Sequence, residues 1–189
     1  MRKRSFQKPR LILIMGVAGS GKTTLSREIL RRVPAVYLDN NHIADAFFPH
    51  TRNGRSYEKI RPRFYQALYR ITEANLKLGN SVLLDVPHTK DVQTRSWQVS
   101  ISQLAIRSKA EMVVIWCHCS EKVLRTRIRS RGEARDSWKL KNWKRFLKRE
   151  PIEVDIPFPH FDLNTEKNVS SNVNAAVSYI KDYVGQLTN

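Results

Sequence analysis

The chain has 189 residues, enough for one domain with a substantial core, which at this length buries roughly 70% of the unfolded surface. Hydrophobic residues make up 41% and charged residues 27%, which is the balance of a folded soluble protein and excludes a disordered chain. The net charge of +17 at pH 7 favours polyanionic partners (nucleotides, nucleic acid or an anionic membrane surface), unless it serves solubility alone.

The stretch MRKRSFQKPR is basic, but only about five apolar residues follow it before Gly16. That is too short for a signal sequence or a membrane span, so a cytoplasmic location and no membrane partner are expected. LILIM (11–15) reads as a buried strand, followed by a helix from about Lys22 to Arg32 that stops before Pro34. AVYLD (35–39) is a second short strand, and a turn with a brief helix ends at Pro49. Apolar residues Ile60, Phe64, Leu68, Ile71 and Leu78 recur at helical spacing over 57–78, with Gly79 as a stop. SVLLD (81–85) is a third strand, 91–107 a helix, and EMVVIWCHC (111–119) a fourth strand. The segment 121–150 is mostly helical by composition. FPHFDLN contains a short fifth strand, and a helix over 169–186 closes the chain. Strand and helix alternate throughout, without internal repeats, which predicts a single α/β domain over 1–189 with a parallel sheet and helices on both faces. Cys117 and Cys119 fall on one strand face with His118 on the other, so the three do not chelate one metal. They read as buried thiols in a reducing compartment.

The strongest chemical signal is GVAGSGKT (16–23), which fits G-x-x-x-x-G-K-[ST] at every fixed position. Such a loop curls so that its N–H groups surround phosphate oxygens, while the next helix offers its positive end to the same anion. The expected nucleotide contacts are Gly16, Ala18, Gly19, Ser20, Gly21, Lys22, Thr23 and Thr24. Lys22 reaches the β- and γ-phosphates of ATP, and the Thr23 hydroxyl holds Mg²⁺. Asp39 ends the second strand, where it can hold Mg²⁺, accept a proton from a substrate hydroxyl, or simply cap the next helix. Asp85 ends the third strand as a Walker B carboxylate would, a second candidate for metal and base. His88, just beyond, reads as a solvated loop histidine.

From Lys122 to Arg149 there are twelve basic and two acidic residues, a local charge of +10. Arg127, Arg131 and Arg135 lie four apart and share a helix face if the helix continues through Gly132. That row suits a lid closing on a transferring phosphate. Trp138, Trp143 and Phe146, interleaved with lysines, either stack on single-stranded nucleic acid or form the inner face of that lid.

GVAGSGKTT, YLDNN, SVLLDVP and RIRSRGEARDSWKL together resemble the P-loop kinases, in the branch of polynucleotide kinases, gluconate kinase, chloramphenicol phosphotransferase and zeta-toxin-like kinases, often labelled AAA-family ATP-binding proteins. The resemblance spans about residues 10–186. It implies the P-loop NTPase three-layer sandwich: a five-stranded parallel sheet of order 2-3-1-4-5 with a mobile helical lid over about 120–150. It also implies transfer of the γ-phosphate of ATP to a hydroxyl of a small polar molecule or a nucleic-acid 5′-end. Paired lid arginines of that branch are matched by Arg127 and Arg131, and DLNTEK resembles its adenine-contacting segment. Where those kinases carry D-x-D or N-x-D this chain has DNN. An amide cannot take a proton as a carboxylate does, so Asp39 or Asp85 carries the base role, or transfer is weak. The alternative class is a nucleotide-binding ATPase or RNA-binding module without kinase activity.

Overall fold

The computed structural model describes residues 6–50, 52 and 54–183. Its centre is β1 (Arg10–Met15), whose residues 11–15 are completely buried. A strand this uniformly apolar needs cover on both faces, which only a parallel sheet between helical layers supplies. β2 (Val36–Asp39), β3 (Val82–Asp85), β4 (Glu111–His118) and β5 (His160–Asn164) complete a parallel sheet of order 2-3-1-4-5, the expected order.

Alternation along β1 splits its side chains between two cores. Leu11, Leu13 and Met15 pack with Tyr65, Leu68 and Leu76 of α3 (Arg55–Lys77) and with Ile101 and Leu104 of α4 (Arg95–Arg107). Ile12 and Ile14 pack on the other face with Leu25 and Ile29 of α1 (Lys22–Leu30) and with Val173, Ala176 and Ile180 of α8 (Val169–Asp182). Each such side chain, fully buried, contributes about 1.5–3 kcal/mol of transfer free energy. The chain therefore has the three-layer P-loop fold, with the carboxyl ends of β1, β2 and β3 on one rim. A brief helix, α2 (Asn40–Phe47), follows β2 on that rim.

A third core lies under the basic segment. Leu124 and Ile128 of α5 (Glu121–Ser130) join Val17, Cys119, and Trp143 and Phe146 of α7 (Trp143–Arg149). The two aromatics thus form an inner face. They are not offered to a nucleic-acid strand. Between α5 and α7 lie a 3₁₀ turn (Ala134–Asp136) and α6 (Ser137–Lys141).

Several boundaries and faces depart from the sequence reading. α5 ends at Ser130 because Gly132 adopts φ +64°, so Arg127, Arg131 and Arg135 do not share a helix face and 121–150 is a series of short helices. The buried stripe of α3 runs through Tyr57, Phe64, Tyr65, Leu68, Thr72 and Leu76, leaving Ile71 and Leu78 exposed. Residues 91–93 form a 3₁₀ turn and Thr94 is extended, so α4 begins only at Arg95. Cys117 and Cys119 are buried free thiols, and burial pushes the Cys117 thiol up to about 12. Residues 1–5 of the basic N-terminal stretch and 184–186 of the expected last helix lie outside the described residues. Among the described residues no helix is long and apolar enough to cross a membrane.

Phe146 is 1% exposed at the centre of the third core. Phe146→Ala is expected to cost about 3–5 kcal/mol in chemical denaturation, the range for emptying a buried aromatic site. A loss below 1 kcal/mol would show that the segment rests only loosely on the domain.

Candidate active site

The rim of β1, β2 and β3 opens into a cleft of about 980 Å³, walled by the loop 16–21, α2, α3 and the basic segment. The loop's shape depends on glycine. Gly16, Gly19 and Gly21 have φ of +134°, +90° and +91°, a region that strains any residue with a Cβ. A Cβ on Gly16 would stand 2.2 Å from the carbonyl oxygen of Cys117, and one on Gly19 would stand 2.7 Å from Ile128. The Gly16 N–H donates to the Pro87 carbonyl at 3.0 Å, tying the loop to the end of β3. α1 starts at Lys22 with no side-chain cap and no acidic residue in its first turn. Its orphan N–H groups and positive end therefore face the loop uncompensated. The Ser20 hydroxyl, wholly buried, has no hydrogen-bond partner among the described residues. A glycine cradle, a free helix end and an orphaned hydroxyl fit the phosphates of a nucleotide. Lys22, nearly buried, donates to the Val17 carbonyl at 3.1 Å, curled over its own loop.

Asp39 and Asp85 end adjacent strands as register partners, 5% and 2% exposed. The Thr23 hydroxyl donates to Asp85 Oδ2 at 2.9 Å and that of Ser26 at 3.4 Å, so Asp85 belongs with the phosphate loop. Oxygen donors of this type, a threonine hydroxyl beside a carboxylate, fit Mg²⁺ shared with phosphates and water. Asp39 is bound on its other side, where Oδ1 accepts the Asn41 N–H at 2.8 Å and Oδ2 the Asn41 amide at 3.2 Å. It caps α2 while keeping its place in the cleft, so the structural and functional expectations coexist. Tyr37 Oη lies between the two acids, 3.3 Å from Asp39 and 3.1 Å from Asp85. Burial first, and then the Asp85 and Asp39 charges, raise the Tyr37 hydroxyl far above its ordinary range, so it stays a donor. Burial, reinforced by the Asp39 charge, holds Asp85 above the usual carboxylate range against the pull of Lys22.

The arginines reach the cleft separately. Arg127 holds Thr165 through Oγ1 and the carbonyl oxygen, both at 2.8 Å, beside Gly21. Arg131 pairs with the buried Asp136, which also binds Lys139 at 2.7 Å. Arg135 grips both oxygens of Asp45 in α2 at 2.7 and 2.6 Å. The cleft thus collects all three by different local structures, where a single helix had been expected. Of the DLNTEK segment, Leu163 and Thr165 line the cleft.

Other groups were not singled out in the sequence. Arg52 bridges the Asn41 amide oxygen, at 2.8 Å, and Asp45. Arg61 of α3 also lines the cleft. His88, expected to be solvated, is 1% exposed and enclosed by Tyr65, Tyr69 and Trp97. Its backbone, at φ +52°, turns the ring inward, and burial lowers its proton affinity. No spacing marks these residues, because they meet only when α2, α3 and the 87–91 loop pack together.

The chain matches the AAA domain family over residues 11–151 and belongs to that family of P-loop kinases. No curated protein sequence matches it significantly. A Chloroflexus aurantiacus protein provisionally assigned as a kinase superposes with a TM-score of 0.73 at 20% identity, covering 94% of this chain and 100% of that one. A sugar kinase of Janibacter gives 0.67 at 15% identity, over 91% and 94% of the two chains. Kti12 of Chaetomium thermophilum, in complex with ADP-AlF3, gives 0.65 at 19% identity, over 93% and 100%. At these identities the likeness is one of fold.

A carboxyl whose proton affinity is raised by folding favours the fold below its ordinary range and opposes it as pH rises through the raised value. Asp85→Asn is therefore expected to raise the melting temperature at pH 7, by about 2–4 °C per kcal/mol relieved, and the gain should shrink as pH falls. Thermal scans from pH 7 to pH 4 check this. A variant less stable than wild type at pH 7 would mean that the Lys22–Asp85 attraction outweighs burial.

Proposed function

We propose that this AAA-domain chain is an ATP-dependent phosphotransferase that moves the γ-phosphate of ATP to a hydroxyl of a small polar molecule. The observation that carries the reading is the second half of the cleft: beyond the phosphate loop stand Asp39, held by Asn41 and Tyr37, and the cations Arg61, Arg127, Arg131 and Arg135. A module that only binds nucleotide has no use for them.

In this reading the loop 16–21, Lys22 and Thr24 cradle the phosphates of ATP, and Arg127 with Thr165 closes the nucleotide end. Thr23 and Asp85 would hold Mg²⁺, which when bound would supply positive charge to the phosphates. Asp39 orients the acceptor hydroxyl and takes its proton. The hydroxyl oxygen forms the new bond to the γ-phosphorus as the bond to the leaving ADP oxygen breaks. Asn41 keeps Asp39 in place with two hydrogen bonds, so an amide at that position is compatible with transfer. Arg131 and Arg135 neutralise the equatorial oxygens from the lid; an arginine so placed is worth ~10³–10⁵ in rate. Leu124 and Ile128 seat this segment on the loop.

A small acceptor fits better than a nucleic-acid end. Trp143 and Phe146 are buried, and only Trp138 of the three aromatics stays partly exposed, beside Arg145 and Arg149. The ion pairs Arg135–Asp45 and Arg149–Glu58 also join the lid to α2 and α3 across the cleft.

Label from γ-labelled ATP-Mg²⁺, offered to sugars, nucleosides, phenicol-type alcohols and 5′-hydroxyl oligonucleotides, should appear on a small acceptor. Lys22→Ala should remove transfer, and Arg131→Ala should lower kcat by about 10³-fold. Asp39→Asn should abolish transfer while ATP still binds. Label found only as free phosphate would refute the kinase reading.

A further inference from the structure

Resting on the phosphotransferase reading, we infer that the acceptor is itself an anion: a small hydroxyl compound bearing a compact oxyanion, seated against Arg61 and Lys90 on the wall formed by α3 and the 87–91 loop.

The first ground is how the carboxylates of the cleft are shared. Asp45 serves both Arg52 and Arg135, and Asp136 serves both Arg131 and Lys139. Arg135 has a second acid in Glu133 at 3.6 Å, so the charges around Asp45 balance, while Asp136 leaves a cation's worth of charge uncompensated. The phosphates of ATP account for Lys22 and Arg127 at the loop, but not for the wall that carries Arg61 and Lys90.

Arg61 is the second ground. Its guanidinium lies 4.6 Å above the Tyr65 ring and donates from Nη2 to Tyr65 Oη at 3.0 Å. The nearest carboxylate, Asp91, is 3.9 Å away and already lies 3.2 Å from His88 Nδ1. The remaining nitrogens of Arg61 have no hydrogen-bond partner among the described residues, and a third of the side chain is exposed where it lines the cleft. Tyr65 and Asp91 thus fix the plane of the fork and leave its edge free, a geometry that matches two oxygens of a phosphate, sulfate or carboxylate. Lys90 lines the same wall and adds a point charge.

The support behind Arg61 is rigid. His88 is enclosed by three aromatic rings, and Trp97 Nε1 donates to Tyr69 Oη at 2.8 Å. Burial alone would push Asp91 up, but His88 and Arg61 hold it below the ordinary carboxylate range, so it stays charged. An anion meeting Arg61 finds a preorganised donor and pays little to order it. If Arg61 were only structural, its loss would lower stability without changing which acceptor is preferred.

The experiment offers matched acceptors that differ only in charge: glycerol against glycerate and glycerol 3-phosphate, glucose against gluconate, and adenosine against adenosine 3′-monophosphate. Transfer of label to the anionic member should exceed that to its neutral partner by ~10-fold or more. Arg61→Gln should raise KM for the anionic member by ~10–100-fold, the range of one charged hydrogen-bond pair, and flatten the preference with a smaller change in kcat. Preference for the neutral member, or an equal loss on both in Arg61→Gln, would overturn the inference; so would an oligonucleotide outcompeting every small anion. If nothing is labelled, the kinase reading fails and the anion site is judged separately. Sodium sulfate, compared with sodium chloride at equal ionic strength, should raise the melting temperature of wild type loaded with a non-hydrolysable ATP analogue, and not that of Arg61→Gln. Equal response of the two proteins to sulfate overturns the site.

Discussion

The structure depends on keeping two buried acids side by side. Asp39 and Asp85 end neighbouring strands in register, and parallel pairing leaves their side chains on the same rim with almost no water. Two charges so placed repel each other and lose hydration, a cost repaid only by specific partners. Thr23, Ser26 and Tyr37 supply hydroxyl donors, Asn41 supplies two N–H groups, and Lys22 supplies the opposing charge. These partners come from α1, β2 and α2, so the site cannot form before the sheet edge and both helices are in place. The residual imbalance, visible in the raised proton affinity of Asp85, is what a bound cation with its phosphates would relieve.

The phosphate loop and the basic segment form one packed unit. Gly19 admits Ile128 so closely that a Cβ would collide with it, and Val17 joins the core that contains Trp143 and Phe146. Any displacement of the loop would therefore disturb the packing of the segment that carries Arg127, Arg131 and Arg135. Arg127 extends the connection to Thr165, which in turn donates to the His118 carbonyl at 3.0 Å at the end of β4. Nucleotide end, lid and sheet edge are joined through a few buried contacts.

The charge of the chain takes on meaning through its arrangement. Of the cations in 121–150, Arg127, Arg131, Arg135, Lys139 and Arg149 line the cleft, and Arg131 and Lys139 share the single buried carboxylate of Asp136. The α3 wall adds Arg61, stacked and tethered with its edge free. If the proposed reading holds, a cleft built this way would attract one anion at the loop and a second at Arg61. Joining two like-charged substrates, as proposed, would need the neutralisation that Arg127, Arg131 and Arg135 are placed to supply.

Local sequence determined the phosphate loop, the five strands and the identity of the two aspartates, whereas the order of the strands followed only from the resemblance to the P-loop kinases. Each rests on short-range rules: glycines where φ must be positive, continuous apolar runs where both sheet faces are covered, and an acid at the end of a buried strand. Composition also indicated a helical basic segment but left open whether a helix passes Gly132, where a left-handed residue follows the end of α5. The spacing that seemed to align three arginines on one face therefore misled, although tertiary packing still delivers all three to the cleft. His88 looked solvated because nothing adjacent in sequence encloses it; its aromatic cage comes from α3 and α4. Arg52, Arg61 and Asp45 carried no signal for the same reason. Sequence decides what depends on the backbone conformation of neighbours, while the pairing of charges and the burial of a ring depend on which surfaces meet, and only the assembled fold decided that.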